Sequence, residues 1–499
     1  MASIKKLAGQ TAWYGISSIF ARLLNYLLTP YLTAYLATAD YGEMSMLYAA
    51  IPFMNVLFTY GMETTFFRFS NKDENEKHVF NTGSLSMLFS TLLFTALIIL
   101  FRDPIAVLLR VREHPQFITW SAWIIALDAL TTLPFAKLRL DSRPRKYAFI
   151  RVAGIVLNIA IVVFCYSILP GIAHSHPDSF IARWYDPNMG TGYVIIAGVA
   201  MSALSFLLLL PEFLSIRFEW NNKLWKEMIL YALPIMVFGF GGVVNETFDR
   251  VMLGWWAPGD LHAQKVQVGI YGACYKLSIL ISLFVQAFRL GAEPFFFKEA
   301  KEGDARNTYA RVMNYFVIVI CSMFLFVMLY IDIWREFIRN RHMWEGLKVV
   351  PILLIANMCL GVYYNLSIWY KLSNNTSAGA IITIIGAIIT IIINYIFIPQ
   401  YGYMACAWAT LACYGSMMLI SYLWGQRVYR VPYNLRKVFY FFTVMLAFYA
   451  LQSIVVYYTQ NLWIHRLTGT ILMVAYAGFV LRTEGKELKG LPVIGKYFS

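Results

Sequence analysis

Two stretches of the sequence share one pattern, and this repetition decides the fold. Residues 61–68 read GMETTFFR and residues 291–298 read GAEPFFFK, so a Gly-x-Glu-x-x-Phe-Phe pattern ending in a basic residue occurs twice. A Tyr-Gly pair precedes each copy, at Tyr41-Gly42 and Tyr271-Gly272, and every matched pair is 230 residues apart. An apolar run of membrane-spanning length joins the two parts of each copy. The constant offset predicts an internal duplication of a membrane-spanning helix bundle.

The composition excludes a soluble protein. Of the 499 residues, 59% are hydrophobic and 14% are charged, whereas a soluble domain is about 45–50% apolar and about 25% charged. Apolar runs continue along the whole sequence, which leaves no polar segment large enough for a cytosolic catalytic domain. The formal net charge of +14 comes from Lys and Arg clusters between apolar runs, which indicates membrane topology and not nucleic-acid binding.

The apolar runs predict an all-α integral membrane protein. At about 20 apolar residues per crossing, we expect about 14 transmembrane helices. The spans are expected at residues 11–36, 42–65, 82–101, 117–136, 148–169, 192–215, 228–256, 268–292, 309–331, 349–370, 377–398, 402–426, 435–457 and 462–481. Lys and Arg are concentrated in alternate loops, which places both termini in the cytoplasm.

The duplication predicts two lobes followed by a C-terminal pair of helices. The N-lobe is expected over residues 1–220 and the C-lobe over 221–430, with six spans in each. The last two spans and a short cytoplasmic tail are expected over 431–499. Equivalent spans run in the same direction, so the lobes are parallel repeats, and transporters built in this way place the substrate path between the repeats.

Charged residues inside the predicted spans are the candidate functional groups. Each costs about 2.5–3.5 kcal/mol at mid-membrane, so it is expected to face water or a partner. They are Arg22, Arg151, Arg250, Lys276 and Arg289 among the bases, and Glu63, Asp128, Glu246, Asp249 and Glu293 among the acids. Helical spacing places Arg22 and Asn25 on one polar stripe, and similar stripes on other spans predict a shared aqueous vestibule.

The buried cations are the candidate contacts for an anionic substrate. Arg22 is the first candidate because it is the deepest, followed by Lys276, Arg250 and Arg289. Arg forms forked hydrogen bonds with phosphate groups, which suits this role. The alternative is that the bases and acids cancel one another in ion pairs inside the bundle.

Three acidic residues have other candidate roles. Glu63 and Glu293 are expected to be structural, because each lies near the inner end of a span beside Arg68 or Lys298. Asp128 lies near the middle of its span. It either neutralises the cation of the first span or carries a proton as a coupling group, and both interpretations stay open.

The seventh predicted span combines a candidate hinge with a polar turn. Pro234 lies inside the span and is followed by three glycines, which predicts either a hinge or simple close packing of helices there. Asn245, Glu246, Asp249 and Arg250 form one polar turn, in which Glu246 is spaced to pair with Arg250. No metal site is predicted.

Several of these stretches resemble one transporter superfamily. The opening Thr11-Ala12-Trp13-Tyr14-Gly15 to Arg22-Leu23-Leu24-Asn25 helix and the join from Tyr35-Leu36 to Tyr41-Gly42 resemble the multidrug/oligosaccharidyl-lipid/polysaccharide (MOP) exporter superfamily. The stretch from Glu63 to Arg68 and the Pro234, Asn245 and Asp249-Arg250 positions are similar to its polysaccharide-transporter or O-antigen-flippase branch.

The resemblance implies a MATE-like fold and a specific activity. The chain would flip an undecaprenyl-diphosphate-linked oligosaccharide from the cytoplasmic to the periplasmic leaflet of the bacterial inner membrane by alternating access. This step would serve O-antigen, capsule or exopolysaccharide biosynthesis. Membrane lipid, H⁺ or Na⁺, and polysaccharide polymerase or assembly proteins would be the other partners, and no cofactor is implied.

Two other functions stay open at this point. A cation-coupled multidrug or metabolite exporter of the MATE type would use Asp128, Glu246 and Asp249 as its main site. An integral-membrane glycan-processing enzyme would need an acidic metal motif or a large outer loop. The sequence contains no Asp-x-Asp motif and no phosphate-binding loop of the nucleotide-hydrolase type, so we expect a transporter that does not hydrolyse ATP.

Overall fold

The computed structural model describes residues 20, 22–70, 76–300, 304–373, 375–459 and 461–488, and their regular secondary structure is helical. Short π and 3₁₀ segments occur at Phe164–Ile168, Ala182–Trp184, Arg335–Phe337 and Arg341–Val349. The α-helices are α1 (22–35), α2 (Thr38–Thr59), α3 (Met62–Ser70), α4 (Glu76–Leu100), α5 (Arg102–Leu108), α6 (Gln116–Leu140), α7 (Pro144–Val163), α8 (Leu169–Ser175), α9 (Gly192–Leu208), α10 (Leu210–Leu214), α11 (Asn222–Glu246), α12 (Phe248–Trp256), α13 (Leu261–Glu299), α14 (Ala305–Leu329), α15 (Ile331–Trp334), α16 (Val350–Leu366), α17 (Ile368–Leu372), α18 (Thr376–Tyr401), α19 (Tyr403–Val428), α20 (Leu435–Tyr458) and α21 (Leu462–Leu488).

The all-α membrane fold predicted from the sequence is confirmed. Among the described residues, twelve helical segments are long and apolar enough to cross a membrane. Helix α9 is apolar but has 17 residues, slightly fewer than the about 20 that a crossing needs. The start of the first predicted span, at residues 11–19, and the predicted tail at 489–499 lie outside the described residues. The count of fourteen spans therefore stays a prediction.

Several predicted spans are interrupted in the structure, and two of the breaks lie next to candidate residues. The second is broken between α2 and α3, where Tyr60 and Gly61 have φ of 34° and 75° in the left-handed region. The seventh, expected as one run over 228–256, is broken at Thr247 between α11 and α12. The Thr247 hydroxyl donates to the backbone carbonyls of Val243 and Ala49, each at 3.3 Å, and such bonds compete with regular helix geometry. Helix α11 continues through Pro234, the predicted hinge.

The chain forms two compact units. The first comprises the described residues of Met1–Ala273, Asn340–Glu345 and Thr383–Cys413, and the second comprises those of Cys274–Arg339, Gly346–Ile382 and Tyr414–Ser499. The boundary between the units falls inside α13, which carries the second copy of the repeat. The division into lobes at residues 220 and 430 stays a prediction.

The two Tyr-Gly pairs of the repeat meet inside the first unit. A Cβ atom at Gly42 on α2 would overlap the backbone carbonyl oxygen of Lys265 on α13, and one at Gly269 would overlap that of Thr38. Glycine at these positions therefore allows the two backbones to touch, as small residues commonly do between membrane helices. The Lys265 ammonium also lies 2.7 Å from a Glu43 carboxylate oxygen, and both side chains are nearly buried.

Candidate functional site

A buried polar cluster lies directly after the break in the seventh predicted span. Asp249, in the first turn of α12, is 4% exposed. One of its carboxylate oxygens accepts a hydrogen bond from the Tyr271 hydroxyl at 2.6 Å. The other accepts the Arg250 backbone N–H at 2.8 Å and lies 3.5 Å from the Arg250 guanidinium. The helix N-terminus also stabilises an acidic group in this position, so Asp249 is held by its neighbours on α12 and by Tyr271 on α13.

Arg250 is oriented by groups on two helices. Its guanidinium donates to the backbone carbonyl of Glu246 at 3.3 Å and lies 5.9 Å from the centre of the Tyr271 ring, within cation–π range. The expected i, i+4 contact therefore includes the Glu246 main chain, and the Glu246 side chain is exposed. The Arg250 side chain is 12% exposed, so its charged group is mostly enclosed by the protein.

Asn245 fixes the end of α11 against α18. Its side-chain nitrogen donates to the Thr383 carbonyl at 3.1 Å, and its side-chain oxygen accepts from the Thr390 hydroxyl at 3.5 Å. Asn245 is itself buried. The break at Thr247, and with it Asp249 and Arg250, is therefore anchored to a neighbouring helix within the same unit.

The first predicted candidate lies on α1 in the same unit. Arg22 and Asn25 are both exposed, whereas Thr29 on the same stripe is buried. The guanidinium of Arg22 and the amide of Asn25 therefore lie at the surface of the described part of the protein.

Asp128 and Arg151 also lie in the first unit. The Asp128 carboxylate accepts a hydrogen bond from the Ser202 hydroxyl at 2.8 Å. Arg151 is exposed, and its guanidinium lies 4.2 Å from the centre of the Phe135 ring. The Ser202 contact orients the acid without deciding between the two predicted roles of Asp128.

In the second unit, the candidate residues lie on α13. The Arg289 side chain is 45% exposed, lies 3.4 Å from a Glu293 carboxylate oxygen and stacks 4.9 Å from the centre of the Tyr364 ring. The same Glu293 oxygen is 2.6 Å from the Lys371 ammonium. Lys276, nearer the start of α13, is partly buried.

The Glu residues of the two repeat copies form equivalent ion pairs. Glu63 pairs with Arg139 at the end of α6, and Glu293 pairs with Lys371 in α17. The separation of Arg139 and Lys371 along the sequence is nearly the same as that of the two repeat copies. The duplication therefore includes both basic partners. Arg68, the basic neighbour expected beside Glu63, stacks 4.0 Å from the centre of the Tyr231 ring. Each of the two ion pairs therefore connects two helices.

Two of the partners in the first unit have no signal in the sequence pattern. Tyr271 belongs to the repeat, but its hydroxyl also donates the hydrogen bond that holds the buried Asp249. The two residues lie on different helices, so helical periodicity cannot relate them. Similarly, Lys265 lies outside the predicted spans, and no spacing in the sequence indicates its pairing with Glu43.

Comparisons with known proteins agree with this architecture. Residues 7–298 match the family described as polysaccharide biosynthesis protein. An uncharacterized membrane protein of Haemophilus influenzae is 19% identical over 359 residues, which cover 70% of this chain and 80% of that protein.

Two solved structures show the same fold. The lipid II flippase MurJ, in an inward closed conformation, superposes with a TM-score of 0.65 at 14% identity, over 94% of this chain and 99% of that one. An inward-facing multidrug resistance MATE family transporter of the MOP superfamily superposes with a TM-score of 0.63 at 12% identity, over 82% and 94%. The chain is thus a multi-pass membrane protein that belongs to the polysaccharide biosynthesis protein family.

Proposed function

We propose that the chain is a flippase that moves an undecaprenyl-diphosphate-linked oligosaccharide from the cytoplasmic to the periplasmic leaflet of the bacterial inner membrane. The observation that carries this proposal is the exposure of Arg22 and Asn25 on α1, the described part of the first predicted span. Their guanidinium and amide groups offer hydrogen-bond donors to an anionic headgroup. A diphosphate provides two or more negative charges and the oxygen geometry that Arg binds in a forked manner.

The remaining cations have complementary roles in this proposal. Arg250 is held next to Asp249 in the resting protein, and a diphosphate can take the place of that carboxylate as its partner. Lys276 and Arg289 provide further positive charge on α13. Asp249 and Glu293 offset the charges of Arg250 and Arg289 without substrate, and an anionic headgroup would add a further partner for these cations.

Alternating access between two lobes moves the headgroup, and an ion gradient of H⁺ or Na⁺ is one source of energy for the cycle. Asp128 is the proposed coupling group, oriented by Ser202. The protein performs no covalent chemistry on the glycan, which polymerase or assembly proteins then use to make O-antigen, capsule or exopolysaccharide. Both termini are proposed to lie in the cytoplasm.

A vesicle assay tests this proposal against the main alternative. The purified protein is reconstituted with a fluorescent undecaprenyl-diphosphate oligosaccharide, and a membrane-impermeant enzyme reports the lipid that reaches the opposite leaflet. We expect transfer well above that in protein-free vesicles. Failure to transfer the lipid, together with proton- or sodium-driven efflux of an organic cation from the same vesicles, would identify a multidrug exporter and contradict the proposal.

A further inference from the structure

A second potential binding site lies in the second unit, where the C-terminal helices pack against α14. A cavity of about 720 Å³ opens between the ends of α14 and α15, the start of α16, and the facing ends of α20 and α21. Pockets for small molecules commonly have volumes of about 300–1,000 Å³. The site shares no residue with the Arg250 and Asp249 cluster.

The lining of this cavity combines apolar side chains with two cations. Leu329, Pro351 and Val456 contribute apolar surface, and Arg335 and Lys348 contribute the cations. Such a combination matches an amphiphile, which has a chain for the apolar side chains and an anion for the cations.

An acidic residue also lines the cavity and has a basic partner outside the lining. One carboxylate oxygen of Asp332 accepts a hydrogen bond from the Arg466 side chain at 2.8 Å. Arg and Lys are the usual protein partners of phosphate.

Hydrogen bonds connect α20 and α21 in the wall of the cavity. The Gln452 side chain, 3% exposed, donates to the His465 carbonyl at 2.9 Å and accepts from the Thr468 hydroxyl at 3.0 Å. The His465 ring contacts the Thr459 carbonyl at 2.7 Å. These bonds join the end of α20 to the start of α21 and reduce the ordering that a ligand has to impose on the wall.

Aromatic residues place the cavity near the membrane surface. Tyr457, Tyr458 and Trp463, beside the turn between α20 and α21, are 83%, 79% and 77% exposed. Tyr and Trp are enriched at the level of the lipid headgroups. The exposed aromatic residues therefore indicate that this end of α20 and α21, and the cavity beside it, lies near the level of the lipid headgroups.

We propose that this cavity, enclosed by α14, α16, α20 and α21, binds a phosphate-bearing membrane amphiphile, with Arg335 and Lys348 contacting the phosphate. A glycerophospholipid and a polyprenyl phosphate share this chemistry. The proposal does not depend on the proposed transport of a glycolipid, because binding at this site is measured without transport.

Photo-crosslinking of the full-length protein in vesicles tests the proposal. The probe is phosphatidylglycerol with a diazirine in its acyl chain, and adducts are mapped by peptide mass spectrometry. We expect adducts within residues 328–351 and 449–465. Unlabelled phosphatidylglycerol or undecaprenyl phosphate should compete, and the stronger competitor identifies the source. Diacylglycerol with the same chains and inorganic phosphate should not compete.

Variants separate the two halves of the site. The double change Arg335→Gln and Lys348→Gln should lower labelling about tenfold, as expected for the loss of charge-assisted hydrogen bonds. Arg112→Gln, at an exposed position elsewhere, should leave labelling unchanged. Val456→Trp, on a partly exposed wall position, should block labelling by filling the cavity, and it serves as the test if the double variant does not fold.

Several results would overturn the proposal. Competition by diacylglycerol as strong as that by phosphatidylglycerol would exclude recognition of the phosphate. Competition by inorganic phosphate alone would indicate a site for a free anion. Unchanged labelling in a correctly folded Val456→Trp protein would show that the probe binds elsewhere.

Discussion

Replacement of Asp249 by alanine is expected to lower the free energy of unfolding by about 3–5 kcal/mol, the range measured when one partner of a buried ion pair is removed. The carboxylate is 4% exposed and the Arg250 side chain is 12% exposed. Without the carboxylate, the Arg250 guanidinium would lose a neutralising charge, and the Tyr271 hydroxyl would lose its acceptor.

Two further variants make this prediction specific. Asp249→Asn retains a hydrogen-bond acceptor for Tyr271 and should be less destabilising than Asp249→Ala. Glu246→Ala, three residues earlier at an exposed position, leaves the main-chain acceptor of Arg250 intact and should change stability by less than about 0.5 kcal/mol. Unfolding in mixed micelles measures all three. Equal stability of Asp249→Ala and the wild type would show that the buried pair contributes nothing.

Replacement of Gly42 by alanine should force α2 and α13 apart. The new Cβ would overlap the carbonyl oxygen of Lys265, and a backbone atom cannot move aside in the way that a flexible side chain can. Overpacking of this kind costs about 1–3 kcal/mol, and we expect the upper part of that range because the buried Glu43–Lys265 pair would be disturbed as well.

Gly242→Ala is the matched control for this change. Gly242 lies inside α11, and a Cβ there meets no described heavy atom within 4 Å. An alanine in a helix interior is favoured over glycine by about 0.5–1 kcal/mol, so this variant should be neutral or more stable. Thermal unfolding of the two purified proteins measures the difference. If Gly42→Ala were as stable as Gly242→Ala, the close contact between the two repeat copies would be wrong.

The sequence predicts the membrane fold because long apolar runs can be recognised one at a time along the chain. The fixed-offset repeat can likewise be recognised by comparing two stretches of the sequence. The sequence does not predict the break at Thr247, because that break depends on hydrogen bonds from Thr247 to Ala49 and from Asn245 to Thr383. These partners lie far apart in the chain, and no periodic pattern relates them.

The sequence predicts the residues of the candidate site better than it predicts their partners. The charges of Asp249 and Arg250 within a span identify both residues, but nothing in the pattern links Tyr271 to them. A structural role for Glu63 follows from its place near the end of a span, yet its partner Arg139 lies on another helix. The cavity at the C-terminal helices has no sequence signal, because its lining comes from two segments about 100 residues apart that pack together only in the folded protein.

The most direct test of cation-guided transport compares two substrates in the same vesicles. One is an undecaprenyl-diphosphate oligosaccharide, and the other carries the same chain and glycan through an uncharged linkage. We expect the wild type to move the charged lipid about tenfold faster, which corresponds to one charge-assisted contact, and Arg22→Ala to remove this preference. Equal rates for the two lipids in the wild type, or an unchanged preference in Arg22→Ala, would contradict a path in which Arg22 guides the diphosphate.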